Sequence, residues 1–275
     1  MTEAVKKTDQ EEKNGLLVRN MRVSYGRKEI LRGVSFSAEK GEVIGIIGAN
    51  GSGKTTLLKA LSGILPSEGE VFFEGQELKK LSVREKARLA AYIPQRSGIS
   101  LSVSVLDAVL MGFNARLPLL SKPSEKMIRK AEEALKEVGL SERASEDLQT
   151  LSEGQKQFCM TARTIVTESR LLFLDEPESA LDFGARYRMM EITAKYVREK
   201  EGIALVTLHD PMLALSCCTR LICLKDGKVS GEIFPEREST EEIREKLEKL
   251  YGPLSVHRIR DKSGRERMVM IREEE

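Results

Sequence analysis

Gly48-Ala49-Asn50-Gly51-Ser52-Gly53-Lys54-Thr55-Thr56 decides how the chain is read. Gly48, Gly53, Lys54 and Thr55 fit the spacing G-x-x-x-x-G-K-[ST] of a phosphate-binding loop. The flanks agree. Glu42-Val43-Ile44-Gly45-Ile46-Ile47 is an apolar run of strand length, and Thr56-Leu57-Leu58-Lys59-Ala60-Leu61 reads as helix, closed by Gly63 and Pro66. Glycines allow positive φ and bring backbone N–H groups close to an anion, and the helix that follows aims its own N–H groups and dipole at the same point. Lys54 adds a mobile charge for the β- and γ-phosphates, and the Thr55 hydroxyl suits Mg²⁺.

Outward from this loop, segments 16–18 and 21–25 read as two strand pieces ending at Gly26, and 30–38 alternates like a strand. Consecutive strands with short turns predict an antiparallel sheet beside the nucleotide core, and 70–75 is another strand with a turn. Tyr25 ends one of these strands; it is ordinarily a packing residue, though an aromatic there can stack on a base. Ala91-Tyr92-Ile93-Pro94-Gln95 is a short strand stopped by proline, and the neutral amide of Gln95 can ligate Mg²⁺ or orient water.

The middle changes character. Segment 102–114 is apolar and helix-competent. Met127, Ile128, Ala131, Ala134, Leu135 and Val138 form one apolar face after the capping Ser124, with Gly139 at the end. Glu125/Arg129 and Glu132/Lys136 stand at i,i+4 spacing on the polar side. A helical block of this kind, interrupting an α/β pattern, reads as an inserted subdomain. In Leu151-Ser152-Glu153-Gly154-Gln155 the serine opens a helix, a position where it either caps or holds an anion.

Leu171-Leu172-Phe173-Leu174-Asp175-Glu176 is a buried parallel strand ending in two carboxylates, at the end where open α/β sheets bind ligands. Beside a phosphate loop, Asp175 suits Mg²⁺ and Glu176 suits taking a proton from the attacking water. Segment 203–208 is a second buried strand. His209 at its end is either structural or a phosphate contact. Strands 220–224 and 228–234 turn at Asp226-Gly227; 239–250 is a helix with Ser239 and Glu242 at capping-box spacing; 254–259 and 268–271 form a hairpin turned by Asp261-Lys262-Ser263-Gly264.

Composition bounds the function. The 275 residues suffice for one large α/β domain or two small ones. Lys and Arg number 45 against 43 Asp and Glu, a balance that gives no ground for a nucleic-acid or membrane-surface partner, and 5 % aromatics without Trp give little support to base-stacking platforms. Cys159, Cys217, Cys218 and Cys223 show neither a disulfide framework nor metal-ligand spacing and read as buried thiols. Segment 1–14 is charged and lacks the apolar centre of a signal peptide, and no apolar run reaches the length of a membrane span.

Tyr25, the 48–56 loop, Gln95, the 151–155 segment, the Asp175-Glu176 strand and His209 stand in an order that resembles the ATP-binding cassette (ABC) ATPase family over about residues 16–232. The resemblance implies a P-loop NTPase (RecA-like) α/β core with an antiparallel β subdomain and an inserted helical subdomain at about 97–165. It places the cassette at 16–235, between a polar segment 1–15 and an extension 236–275. It implies ATP and Mg²⁺ as ligands. Tyr25 matches the base-stacking loop, Gln95 the Q-loop, 151–155 the signature motif, 179–182 the D-loop and His209 the H-loop. The nucleotide contacts implied are Tyr25, Gly48, Ala49, Asn50, Gly51, Ser52, Gly53, Lys54, Thr55 and Thr56, with Ser152, Gly154, Gln155 and Asp182 meeting a nucleotide on a second copy paired head to tail. Glu176, His209 and Gln95 are the implied catalytic set, and Thr55, Gln95 and Asp175 the implied Mg²⁺ ligands. Two departures stand out: Glu153 replaces the first glycine of the signature pair, and Glu178 replaces the commoner threonine before the D-loop.

One cassette without a span is similar to the separate ATPase subunits of transporters, peripheral on the cytoplasmic face of the membrane and partnered by polytopic permease subunits and, through them, by a substrate-binding protein. Segment 100–112 and Leu250-Tyr251-Gly252 resemble importers of iron chelates, haem and cobalamin, although those usually carry Arg at the position of Phe113. The alternative is a non-transport ABC ATPase of repair, translation or cluster assembly; the coiled coil, second cassette or zinc-ligand cysteines such proteins often carry are not visible. A GTPase lacks support because Asn-Lys-x-Asp is missing.

Overall fold

A computed structural model describes residues 15–95, 102–118, 121–262, 264 and 266–273. The polar segment 1–14, residues 100 and 101 of the importer-like stretch and Ser263 of the expected C-terminal turn lie outside the described residues.

The centre is a six-stranded sheet in the order β10-β9-β3-β8-β7-β6, made of β3 (Val43–Ile47), β6 (Ala90–Ile93), β7 (Leu171–Asp175), β8 (Ile203–Thr207), β9 (Arg220–Lys225) and β10 (Lys228–Ile233). All pairings are parallel except β9 with β10, which turn back through Asp226 (φ 49°) and Gly227 (φ 75°). A parallel sheet covered on both faces needs apolar residues at successive positions, which is why β3, β7 and β8 read as continuous apolar runs and are buried throughout. The alternation is still there, divided between two cores. Ile44, Ile46, Leu171, Phe173, Ile203 and Leu205 face one side, and Ile47, Leu172, Leu174, Ala204 and Val206 face the other.

On the first side lies the antiparallel sheet β2-β1-β4-β5, formed by β1 (Gly15–Tyr25), β2 (Lys28–Glu39), β4 (Glu68–Phe73) and β5 (Gln76–Glu77), with helix α1 (Lys54–Leu61) between it and the core. The two strand pieces expected before Gly26 are one strand. Asn20 takes φ 47°, its N–H donates to Ser35 Oγ at 2.8 Å, and the register with β2 shifts between Val18 and Met21. Asparagine tolerates this left-handed conformation, so the strand bulges rather than ending.

The remaining helices are α2 (Val83–Leu89), α3 (Val105–Leu110), α4 (Glu125–Val138), α5 (Glu153–Thr167), α6 (Phe183–Lys200), α7 (Pro211–Cys217) and α8 (Thr240–Tyr251). Helices α3, α4 and α5 form the helical lobe. The expected caps are in place: Met127 N–H donates to Ser124 Oγ, and Gly139 closes α4 at φ 79°. Gly112 follows α3 where a β-carbon would stand 2.5 Å from the Arg163 carbonyl of α5, so only glycine lets the two helices meet so closely. Of the two expected i,i+4 pairs, Glu125–Arg129 closes at 3.6 Å. The last hairpin, β11 (Leu254–Arg260) with β12 (Glu266–Arg272), packs Val256 and Met268 onto the second core.

Glu168 follows α5 at φ 54° and accepts from Lys130 Nζ at 2.6 Å and from Arg116, tying the end of α5 to two other parts of the lobe. The Lys130 hydrogen bond, aided by Arg116 and opposed by partial burial, holds this carboxyl at about 2 instead of the usual 4.5. A carboxyl with a depressed folded pKa stabilises above its unfolded pKa and loses that contribution as pH falls through the folded one. Urea midpoints should therefore fall between pH 5 and pH 2 more steeply in the parent than in Glu168→Gln; parallel profiles would show that the pair of cations contributes nothing.

Candidate nucleotide site

The loop after β3 does what its glycines require. A β-carbon on Gly48 would lie 2.1 Å from the Leu224 carbonyl of β9, and Gly53 caps α1 at φ 105°. The Gly227 N–H of the β9–β10 turn donates to the Ser52 carbonyl at 3.2 Å, bracing the loop from behind. Over the loop lies an open cavity of about 280 Å³, bordered by Asn50, Gly51, Gly53, Thr55, Thr56 and Glu176. Lys54 also lines it, and is 5 % exposed, with Nζ donating to the Gly48 and Ala49 carbonyls at 2.9 and 3.3 Å. Burial lowers its pKa, while Glu176, Asp175 and Glu178 act in the opposite direction. A caged ammonium facing carboxylates is a cation held ready for an anion.

At the end of β7 Asp175 is 3 % exposed and saturated with donors. Thr55 Oγ1 and Thr207 Oγ1 both reach Oδ1 at 2.9 Å, and the Tyr92 hydroxyl reaches Oδ2 at 2.9 Å. Tyr92 and Thr207 were not singled out in the sequence. Each carries a recognisable signal, a hydroxyl at or next to the C-terminal end of a strand whose other residues are apolar. Burial raises the Tyr92 pKa, the Asp175 charge and hydrogen bond adding to it, so the phenol stays a donor.

Glu176 sits at φ 49°, a conformation that costs a non-glycine residue about 1–3 kcal/mol and that clusters at functional sites. Its backbone N–H is fixed by Thr207, with Oγ1 at 2.9 Å. The carboxylate is capped at both oxygens: His209 Nε2 stands 2.6 Å from Oε1, and Gln95 Nε2 donates to Oε2 at 2.6 Å. Gln95 is held in turn by Gln157 of α5, whose amide donates to the Pro94 carbonyl at 3.2 Å and to the Gln95 carbonyl. Gln157 is 2 % exposed. The helix that begins at the 151–155 segment thus reaches the residue that touches Glu176.

Of the expected residues, Lys54, Thr55 and Glu176 line the cavity with the glycine-rich loop, while Asp175 is bonded to Thr55 behind it and Gln95 and His209 are bonded to Glu176. Other expected residues do not line it. Ser152 is exposed at the start of α5 and makes a capping box, with Gln155 N–H to Ser152 Oγ at 3.2 Å and Ser152 N–H to Gln155 Oε1 at 3.0 Å. A β-carbon on Gly154 would lie 3.0 Å from the Ala180 carbonyl, and Asp182 caps α6 through Ala185 N–H at 2.8 Å. Glu153 is drawn along its helix to Lys156 at 2.8 Å. Tyr25 is 53 % exposed at the end of β1, opposite Lys28, which does border the cavity. All four cysteines are free; burial raises the thiols of Cys159 and Cys223 to about 12 and that of Cys217 to about 11. Among the described residues no helix is long and apolar enough to cross a membrane.

The chain is similar to known proteins in sequence and in fold. The family profile described as "ABC transporter" matches residues 31–179. The "Probable iron chelatin transport ATP-binding protein" of Helicobacter pylori is 38 % identical over 216 residues, 78 % of this chain and 85 % of that protein. The hemin import ATP-binding protein HmuV of a Jannaschia species is 35 % identical over 236 residues, 82 % of this chain and 84 % of that one. Among solved structures, a chain of an ABC transporter assigned to the metal-chelate type, in an inward-facing conformation, superposes with a TM-score of 0.78 at 25 % identity, covering 94 % of this chain and 98 % of its own. A dimeric ATP-binding cassette in a post-hydrolysis state with ADP and Pi gives 0.72 at 25 % identity, over 80 % of this chain and 98 % of its own.

Proposed function

Because the chain belongs to the ABC transporter family, as an ATP-binding subunit and ATPase, we propose that it powers the import of a metal chelate of the iron-siderophore, haem or cobalamin type. The likeness to the iron chelatin and hemin subunits supports this cargo class over others. We read residues 16–235 as the cassette and 236–275 as an extension packed on it.

The observation that carries the ATPase assignment to particular residues is the doubly capped Glu176. Lys54 and the N–H groups of 48–56 receive the phosphates. Thr55, Asp175 and the Gln95 amide oxygen are hard oxygen donors, the set that suits Mg²⁺, and the buried Asp175 is pre-oriented by three hydroxyls. That ion, when bound, neutralises phosphate charge. Glu176 would accept the proton of the attacking water once Gln95 and His209 have both turned from it; Gln95 would then be free to serve as a ligand of Mg²⁺ and His209 as a contact of the terminal phosphate. Ser152, Gly154, Gln155 and Asp182 lie apart from the cavity, which supports their acting on the nucleotide of a second copy; Tyr25 stacks on the base.

A groove of about 330 Å³ opens between β6 and the helical lobe, lined by Tyr92, Pro94, Met111, Gly112, Met160 and Arg163. Its lining includes Pro94, the residue before Gln95, and it suits a cytoplasmic loop of a polytopic permease, which would feel the lobe move. The test is affinity purification of the chain from detergent-solubilised membranes of its source cell, with the retained proteins identified. The parent should retain the permease, and Met111→Glu should release it while hydrolysing ATP at the basal rate. Retention of a soluble repair or translation partner instead would favour the non-transport alternative.

A further inference from the structure

We infer that Glu178 is a positioning residue for hydrolysis, setting the backbone from which His209 acts on the site; the inference rests on the role proposed above for His209. Glu178 departs from the family pattern, and the longer side chain makes a contact across to the end of the neighbouring strand. It is 3 % exposed, and its Oε1 accepts the backbone N–H of His209 at 3.0 Å. His209 is thereby held at both ends by one short segment of chain: its backbone by Glu178 and its ring by Glu176, with Nε2 2.6 Å from Oε1. Leu208 N–H, just before, is fixed by the Ile46 carbonyl of β3 at 3.2 Å, and Asp210, just after, caps α7 through the Met212 N–H at 2.9 Å. With both neighbours anchored, the amide of His209 is the remaining handle on the ring's origin, and Glu178 occupies it.

The second oxygen of Glu178 is buried without a partner. A buried carboxylate with an orphan oxygen is expensive when ionised. Burial accordingly raises its pKa, Glu176 adding to this against the His209 N–H and the His209 charge, with Lys54 and Cys218 the other titratable groups that face it. What His209 uses is the acceptor oxygen rather than the charge. When the ring leaves Glu176 for a terminal phosphate, it swings about a fixed backbone, and a ring about 1 Å out of place can cost about 100-fold in rate.

The chain contains two histidines, His209 and His257, so each ring is separately visible by NMR. Glu178→Leu removes the acceptor and keeps the apolar bulk; Glu178→Gln keeps the acceptor. In the leucine variant kcat should fall at least tenfold with the KM for ATP within about twofold, and the His209 ring signals should shift while those of His257 stay. Glu178→Gln should restore both kcat and the His209 signals. If the leucine variant does not fold, Glu178→Asp, one methylene shorter, takes its place with the same expectation. The inference is overturned if a folded Leu or Asp variant keeps the parent's kcat and His209 signals, or if Gln is as impaired as Leu. His209→Ala separates the two layers of argument. If it hydrolyses ATP like the parent, the role of His209 itself fails; if it is inactive while Glu178→Leu is not, only the positioning fails.

Discussion

Glu176→Gln should bind ATP as the parent does and lose about 10²–10⁴ in turnover, roughly 3–5 kcal/mol of barrier. The isosteric amide keeps the shape of the side chain, and the positive φ at this residue depends on the backbone hydrogen bonds to Thr207 rather than on the carboxylate. What is lost is an acceptor basic enough to take a proton. That acceptor is capped on both oxygens in the structure, so basicity is available only after Gln95 and His209 have both turned away. Two subsidiary outcomes follow from the same geometry. Gln95→Ala should lower turnover less than Glu176→Gln does, because it removes a cap together with a metal ligand. In Glu176→Gln the nucleotide should accumulate uncleaved, and on the head-to-tail reading the protein should then elute as a dimer in ATP and as a monomer in ADP. Phosphate release measured beside nucleotide affinity decides the matter. Parental turnover in the glutamine variant would remove Glu176 from the role of base.

Most of the fold was legible because its signals are local. The apolar runs at β3, β7 and β8 could only be covered on both faces, and caps at Ser124, Ser152 and Ser239 together with Gly139 marked helix ends through hydrogen bonds that span three or four residues. The bulge at Asn20 was not legible, since it joins what polar residues in the sequence make look like two strands. The site divides in the same way. Residues of the loop and of the β7 end are adjacent in sequence and carry their chemistry in their spacing. Tyr92, Thr207 and Gln157 act only through partners 83, 32 and 62 positions away, so even the strand-end hydroxyls of Tyr92 and Thr207 do not name their partner in the sequence. The burial of Glu178 was hidden for the same reason; its position was flagged as a departure, but the amide it accepts from lies on another strand's end.

Lys54→Met should weaken ATP binding by about 30- to 4000-fold, the range that corresponds to losing roughly 2–5 kcal/mol when one partner of a desolvated charge pair is truncated. The ammonium is 5 % exposed, already stripped of most water, and parked on the Gly48 and Ala49 carbonyls. Little further desolvation is needed when a phosphate replaces those carbonyls, so most of its attraction is expressed as affinity. Methionine keeps the length and the apolar stem but removes the ammonium that Asp175, Glu176 and Glu178 attract. An added triphosphate then meets net repulsion, and binding of ATP should suffer more than that of ADP, because the terminal phosphate lies nearest those carboxylates on this reading. Equilibrium binding of the two nucleotides checks both statements, and an ATP affinity within threefold of the parent would contradict them. The same variant also probes the pairing of copies. Lys54→Met leaves Ser152 intact, and Ser152→Glu leaves Lys54 intact while setting a negative charge where a phosphate should dock. Each alone should be inactive. Mixed, they form some pairs in which one site takes its loop from the serine variant and its α5 start from the lysine variant, both unaltered, so hydrolysis should return in part. A mixture as inactive as its components would mean that the nucleotide is served by one chain only, since trading loops between copies is the sole route by which these two defects can complement each other.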